Sequence, residues 1–283
     1  MVPTGPIVED QPHDVEDLEV DLLLEGVFRL FGHDFRGYQR EPVKRRLHAM
    51  MKDIGATTIS ALQEQVLHQP ATAAALLRGL STRPAALFDD PDYYRSLRDA
   101  MVPLLRSCPS PRIWVAECVA AEDVCGLAIL LAEEGLHDRT QIFATAENPC
   151  LLEEASDGSF SLDRLSAYAK NYEESGGKRS LSDYCDERHG RAVFSAQLRS
   201  NITWAQYSLA TDASFNEFQL IVCRRAMPDF GAYLQRRTLQ LFYESMPLFG
   251  ILSVDRSDGL MAAPFVSRYK PLSAESGLYR RVA

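Results

Sequence analysis

The sequence predicts an α/β protein: an all-helical N-terminal part, followed by a mainly parallel sheet with helices on both faces. Three observations carry this. From residue 112 onward, short apolar runs alternate with amphipathic stretches, the rhythm of strand–helix–strand units. Residues 16–100 instead repeat their apolar side chains at helical spacing. Between the two regimes stand Pro84, Pro91, Pro103, Pro109 and Pro111, the punctuation of a domain boundary.

Residues 1–15 hold Pro3, Pro6 and Pro12 among scattered acids and read as a flexible leader. A helical domain is expected over 16–92. Within it Val43, Leu47, Met50, Met51 and Ile54 mark one helix, Pro42 suits its first turn, and residues 71–80 form another ending near Gly79. Residues 93–111 read as a linker helix, Tyr93 to Leu105, ahead of the α/β domain at 112–283.

In that domain Ile113–Cys118 is fit for a buried strand, and Val124, Leu127, Ala128 and Leu131 mark a helix stopping at Gly135. Gln141–Thr145 is a second strand with a helix near 148–155, and Phe218–Cys223 a third with a helix over 231–246. Gly250–Val254 follows, and residues 264–283 suit an antiparallel pair. Residues 171–204 interrupt the rhythm. Gly176-Gly177 signals a turn, while 191–195 and 202–207 look strand-like, so a small antiparallel β subdomain is expected there.

Composition narrows the function. A formal net charge of -9 argues against a nucleic-acid partner, and the apolar runs are too short to insert in a membrane. The N-terminal acids Glu9, Asp10, Asp14 and Glu16 do not resemble a secretion signal, so a cytoplasmic location is expected. The six cysteines show no CxxC spacing, which gives no reason to expect a metal, and Cys118 and Cys223 read as buried thiols. Arg40, Lys44, Arg45, Arg46 and Lys52 make one helix locally basic. Two readings stand for them: a dock for an acidic protein partner, or a solvated face.

Several stretches stand in one consistent order: Leu80-Ser-Thr82 with Leu87-Phe88-Asp-Asp-Pro91, Ile113-Trp-Val-Ala116, Leu127–Leu131, Ile142–Thr145 with Asn148-Pro149, Thr211–Phe215, and Phe218–Arg224. Together they resemble the CheR family, the chemotaxis-type protein-glutamate methyltransferases. The resemblance implies a small helical domain, a Rossmann-like methyltransferase domain that binds S-adenosylmethionine, and a β subdomain. It also implies a receptor or signalling protein as partner.

Position by position, the residues that the family uses are replaced. The family's Gly-Cys-Ser-Thr-Gly-Glu-Glu turn stands here as Glu117-Cys118-Val119-Ala120-Ala121-Glu122-Asp123, where Glu122 alone keeps a functional identity. Glycine lets backbone approach a ligand closely, and Glu117 fills that space. Ala146 stands where the family's Asp accepts from the ribose, a loss of roughly 1.5–3 kcal/mol, although Glu147 lies next door. The family's Asn, Thr and Arg of its helical-boundary motif become Arg83, Ala85 and Asp89, an Asn becomes Ser208, and a further Asn and Tyr become Arg225 and Asp229.

These changes lead to the expectation of a catalytically inactive CheR-like protein with no cofactor, acting as a regulatory or protein-binding component of chemosensory-type signalling. An alternative is a sensor of a small anion or nucleotide, with Arg83, Arg224, Arg225 and Glu117 facing a remodelled cleft; against it stands a plug, with the arginines paired to Glu117 or Asp89. A second alternative is an active S-adenosylmethionine-dependent methyltransferase with atypical contacts through Glu122 and Glu147.

Overall fold

A computed structural model describes residues 15–255, 266–273 and 275–283. Apart from Val15, which opens the first helix, the leader assigned to 1–15 lies outside the described residues. The chain divides into two compact units, one running to Arg36 and taking in Arg40–Leu80, the other comprising Gly37–Gln39 and Ser81–Ala283.

The first unit is helical, with α1 (Val15–Phe31), α2 (Arg40–Ile54), α3 (Ile59–His68) and α4 (Pro70–Ser81). Val20, Leu23, Leu24 and Val27 fall on one face of α1 and are buried together with Val43 and Leu47 of α2 and Ile59, Leu62 and Val66 of α3. Thr58 starts α3 by accepting the Ala61 N–H at 3.0 Å. The basic residues of α2 do not act as one patch. Lys44 lies 2.9 Å from Asp17 and 3.4 Å from Glu16, while Arg40 lies 3.6 Å from Asp17 and also pairs with Asp21. Arg46 donates to the Leu80 carbonyl at 3.3 Å. Arg45 and Lys52 remain exposed.

The second unit begins with α5 (Pro91–Ser107), capped by Asp90. The helix read as a linker is part of this unit's core: Tyr93, Tyr94, Leu97, Met101 and Leu105 are buried against the sheet. Apolar spacing alone could not show whether its face met a neighbouring domain or its own.

The main sheet runs β6 (Ile202–Gln206), β2 (Gln141–Ala146), β1 (Arg112–Ala116), β7 (Leu220–Cys223), β8 (Ile251–Val254), β10 (Leu278–Arg281), β9 (Tyr269–Ser273). The first five are parallel, and β10 is antiparallel to both β8 and β9. Helices α6 (Ala121–Glu133), α7 (Pro149–Asp157) and α9 (Ala232–Glu244) connect strands. β1 is buried on both faces, Ile113 and Val115 in one cluster and Trp114 and Ala116 in the other, as a central parallel strand requires. Strand order reverses between β1 and β7, so the crevice beyond their carboxyl ends is the topological switch point where such sheets take ligands.

The small sheet differs from expectation. It comprises β3 (Ser159–Ser161), β5 (Arg191–Phe194) and β4 (Cys185–Arg188), all antiparallel, so it starts before residue 171 and ends before 204. Residues 165–174 are helical, α8 (Leu165–Glu174), and Ile202–Gln206 leaves the insertion to become the edge strand of the main sheet.

Candidate functional site

The parallel register brings four loops to one edge of the sheet. Ala116 pairs with Thr145, Ala146 with Gln206, and Val115 with Val222, so the residues after β1, β2, β6 and β7 emerge side by side. The positions singled out in the sequence lie on these loops and on the segment before α5: Glu117, Val119, Ala121 and Glu122 after β1, Ala146 and Glu147 at the end of β2, Ser208 after β6, Arg225 and Asp229 after β7, and Arg83, Ala85 and Asp89 before α5.

Backbone strain concentrates here. Glu117, Arg225 and Phe88 adopt φ of 54°, 68° and 53°, the left-handed region that favours glycine and tolerates asparagine. The resemblance places glycine at 117 and asparagine at 225. The side chains present at 117 and 225 are therefore not the ones this backbone holds most easily, with strain of order 1–3 kcal/mol at each site.

Two ion networks hold the replacements. In the first, Arg83 is buried (side chain 3% exposed), with Nε 3.1 Å from Asp229 and Nη1 3.5 Å from Glu117 and 3.0 Å from the Ser81 carbonyl. Burial opposes the charge on Arg83, but Tyr38, Glu117 and Asp229 outweigh it and hold the guanidinium more firmly protonated. Burial pushes the Glu117 carboxyl up from its ordinary value, against the pull of Arg83 and the Glu147 N–H. In the second network, Arg225 pairs with Asp89 at 2.8 Å and with Asp123, and its backbone N–H donates to the Asp255 carboxylate at 2.8 Å. Arg224 lies over the Tyr93 ring at 3.8 Å and pairs with Asp90 at 3.4 Å.

The remaining candidates are engaged as well. Glu122 accepts the Tyr168 hydroxyl at 2.8 Å and lies 3.5 Å from Arg164. Glu147 receives the Ser208 hydroxyl at 3.4 Å. Ala146 is fully buried and offers its carbonyl to the Tyr207 N–H at 3.1 Å. Between Tyr93, Glu117, Asp123, Arg224 and Arg225 the cavity measures about 20 Å³. That is room for about one water, whereas ligand pockets span roughly 300–1,000 Å³.

Sequence reasoning missed the segment Gly37–Gln39. Tyr38 forms an antiparallel bridge with Phe230, the Gln39 N–H donates to the Asp229 carbonyl at 2.7 Å, and the Gly231 N–H donates to the Gly37 carbonyl at 2.8 Å. No local pattern announces it, because its partners lie some 190 residues away.

The switch-point crevice and strand order define a methyltransferase-like α/β domain joined to a helical one. Residues 84–272 match the model of the CheR methyltransferase, SAM binding domain, and residues 18–81 that of the CheR methyltransferase, all-alpha domain. The chain belongs to the CheR methyltransferase family. It is 38% identical over 265 residues to the "Putative methyltransferase Cher3" of Pseudomonas putida, covering 94% of this chain and 97% of that one. It is 23% identical over 251 residues to a chemotaxis protein methyltransferase of Listeria innocua, covering 87% and 93%. Among solved structures, the glycopeptide N-methyltransferase MtfA with S-adenosylhomocysteine is 13% identical at a TM-score of 0.36, over 61% of this chain and 50% of that one.

The family assignment corrects one expectation. The chain was expected to take no cofactor, yet the domain it matches is a SAM-binding one, so S-adenosylmethionine is the group that family membership assigns to the switch point. The side chains as placed do not fit it: Glu117 and Arg83 occupy the β1 turn, Ala146 offers no carboxylate, and the cavity is about 20 Å³.

Proposed function

We propose that this CheR-family chain has kept the scaffold and lost methyl transfer, and that it works as a regulatory, protein-binding component of a chemosensory-type pathway. The supporting observation is that the altered positions pair with one another. Arg83 meets Glu117 and Asp229, and Arg225 meets Asp89. The resemblance places a cation at 89, so Asp89 inverts the charge there and Arg225 answers it. Complementary replacement preserves a folded cleft wall, which random decay would not do, because at the buried Arg83 an unpaired charge costs several kcal/mol. Any S-adenosyl ligand entering this cleft would have to part Arg83 from Glu117.

A protein partner fits the resemblance to protein-glutamate methyltransferases and the relative named as a chemotaxis protein methyltransferase. Arg45 and Lys52 are the exposed cations of α2 available to such a partner. The small-anion sensor is disfavoured, since Arg83 and Arg225 each already face carboxylates.

The test is methyl transfer from labelled S-adenosylmethionine to receptor fragments carrying glutamates, with an active chemotaxis methyltransferase as control and donor binding measured separately. The proposal expects no base-labile methyl ester above background. Turnover sinks it; donor binding without turnover does not.

A further inference from the structure

Within the second unit, a groove that shares no residue with the cleft runs between α9 and the loop after β6. It measures about 500 Å³, and Asp212, Tyr233, Arg236, Arg237, Gln240 and Glu244 line it. Its walls are fixed. Arg237 donates Nε to the Leu209 carbonyl at 3.2 Å and Nη2 to the Asp212 carbonyl at 3.0 Å, while the Asp212 carboxylate accepts the Ser208 N–H at 3.0 Å. Beyond the helix end the Gly250 N–H donates to the Pro247 carbonyl at 3.0 Å, and a Cβ at Gly250 would overlap Met246 Cγ, so the turn that carries Leu248 lies tight against Met246. The exposed groups are less committed. Tyr233 is 75% exposed and Leu248 50%. Arg236 is exposed and, among the described residues, has no partner, and the exposed Glu244 accepts only from the Gln240 amide.

These groups form a pattern centred on Gln240. Arg236 and Glu244 stand four residues to either side of it, about 6 Å along the axis, and a turn of about 100° per residue brings Tyr233, Arg236, Gln240 and Glu244 to one face. Tyr233 and Pro247 stand seven residues to either side, with Leu248 next. Read along the chain, the order is apolar, cation, amide, anion, apolar, which an antiparallel copy of the same helix complements at every position. We propose that this face is where two copies of the chain meet, α9 against α9 about a two-fold axis at Gln240. Arg236 then faces Glu244 of the partner subunit, Tyr233 reaches Leu248 of the partner subunit, and each contact is made twice. Charge favours a second copy as the occupant. The chain carries a formal charge of -9, yet on this face Arg236 and Arg237 balance Asp212 and Glu244, so two acidic molecules meet at a locally neutral patch. A helix of another protein would have to carry the same groups in the reverse order.

Sedimentation velocity of the full chain over a range of concentrations gives the dissociation constant of the dimer. Arg236→Glu sets a carboxylate against Glu244 of the partner subunit, and Glu244→Arg sets a guanidinium against Arg236 of the partner subunit. The native chain is expected to dimerise, and each variant alone to do so at least about tenfold more weakly. An equal mixture of the two variants is expected to recover the native affinity, because each supplies the charge that the other lacks, and the chain carrying both substitutions recovers it by itself. Both side chains are exposed, so thermal scans are expected to show an unchanged Tm, which separates a lost dimer from a lost fold. Gln240→Lys, which the axis sets against itself, provides a further variant should a charge reversal fail to fold, and it too is expected to weaken the dimer. A native chain that stays monomeric, single variants that dimerise as tightly as the native chain, or a mixture no tighter than its components overturns the proposal.

Discussion

At φ 54°, Glu117 keeps a backbone made for glycine, and it holds there a carboxylate that is almost entirely buried. Its folded-state proton affinity is raised, mainly by burial. Above the ordinary value of 4.5, the unfolded chain has released this proton while the native chain still holds it, so stability falls with rising pH until the folded value is passed. Glu117→Gln is expected to lack that fall, and Tm measured against pH for both proteins checks it. Arg83 carries the opposite liability. Arg83→Ala leaves Glu117 and Asp229 buried without their cation, and denaturant unfolding should show a loss of about 3–5 kcal/mol.

Elements differ in how far their sequences announced them. β1 was legible because four consecutive apolar residues, Ile113–Ala116, between turn signals are too few for a buried helix and fit a strand buried on both faces. Trp114 shows what that burial supplies: it is fully buried, packs edge-on against Tyr207 and Phe242, and donates Nε1–H to Thr145 at 2.8 Å. Trp114→Ala is expected to lower unfolding free energy by about 3–5 kcal/mol. β3 was not legible, since three residues carry no period and their partner strand lies some 30 residues on. β6 was assigned to the wrong sheet for a related reason: its strand character is local, but its neighbour β2 is chosen by topology. On α2, periodicity found the helix but not the fate of its charges. Arg45 and Lys52 point to solvent, whereas Arg40 and Lys44 are committed to α1. Replacing Arg45 and Lys52 together with Ala should leave Tm unchanged and weaken binding to a receptor fragment; unchanged binding in a pull-down would remove α2 as the dock.

For the whole molecule, the family and α/β architecture could be read from ordered short matches, because strand cores tolerate little besides apolar side chains. The cleft could be read only as positions that differ from the motif the resemblance implies. Which carboxylate each arginine would meet depends on loops more than 100 residues apart, Arg83 with Asp229 and Arg225 with Asp89. The most direct measurement compares methyl-ester formation by the native chain with a variant carrying Arg83→Asn, Asp89→Arg, Glu117→Gly, Ala146→Asp, Arg225→Asn and Asp229→Tyr. If paired replacements at the switch point have removed the reaction, the native chain forms no ester and the variant does. Ester formation by the native chain at a rate matching an active chemotaxis methyltransferase would contradict the account.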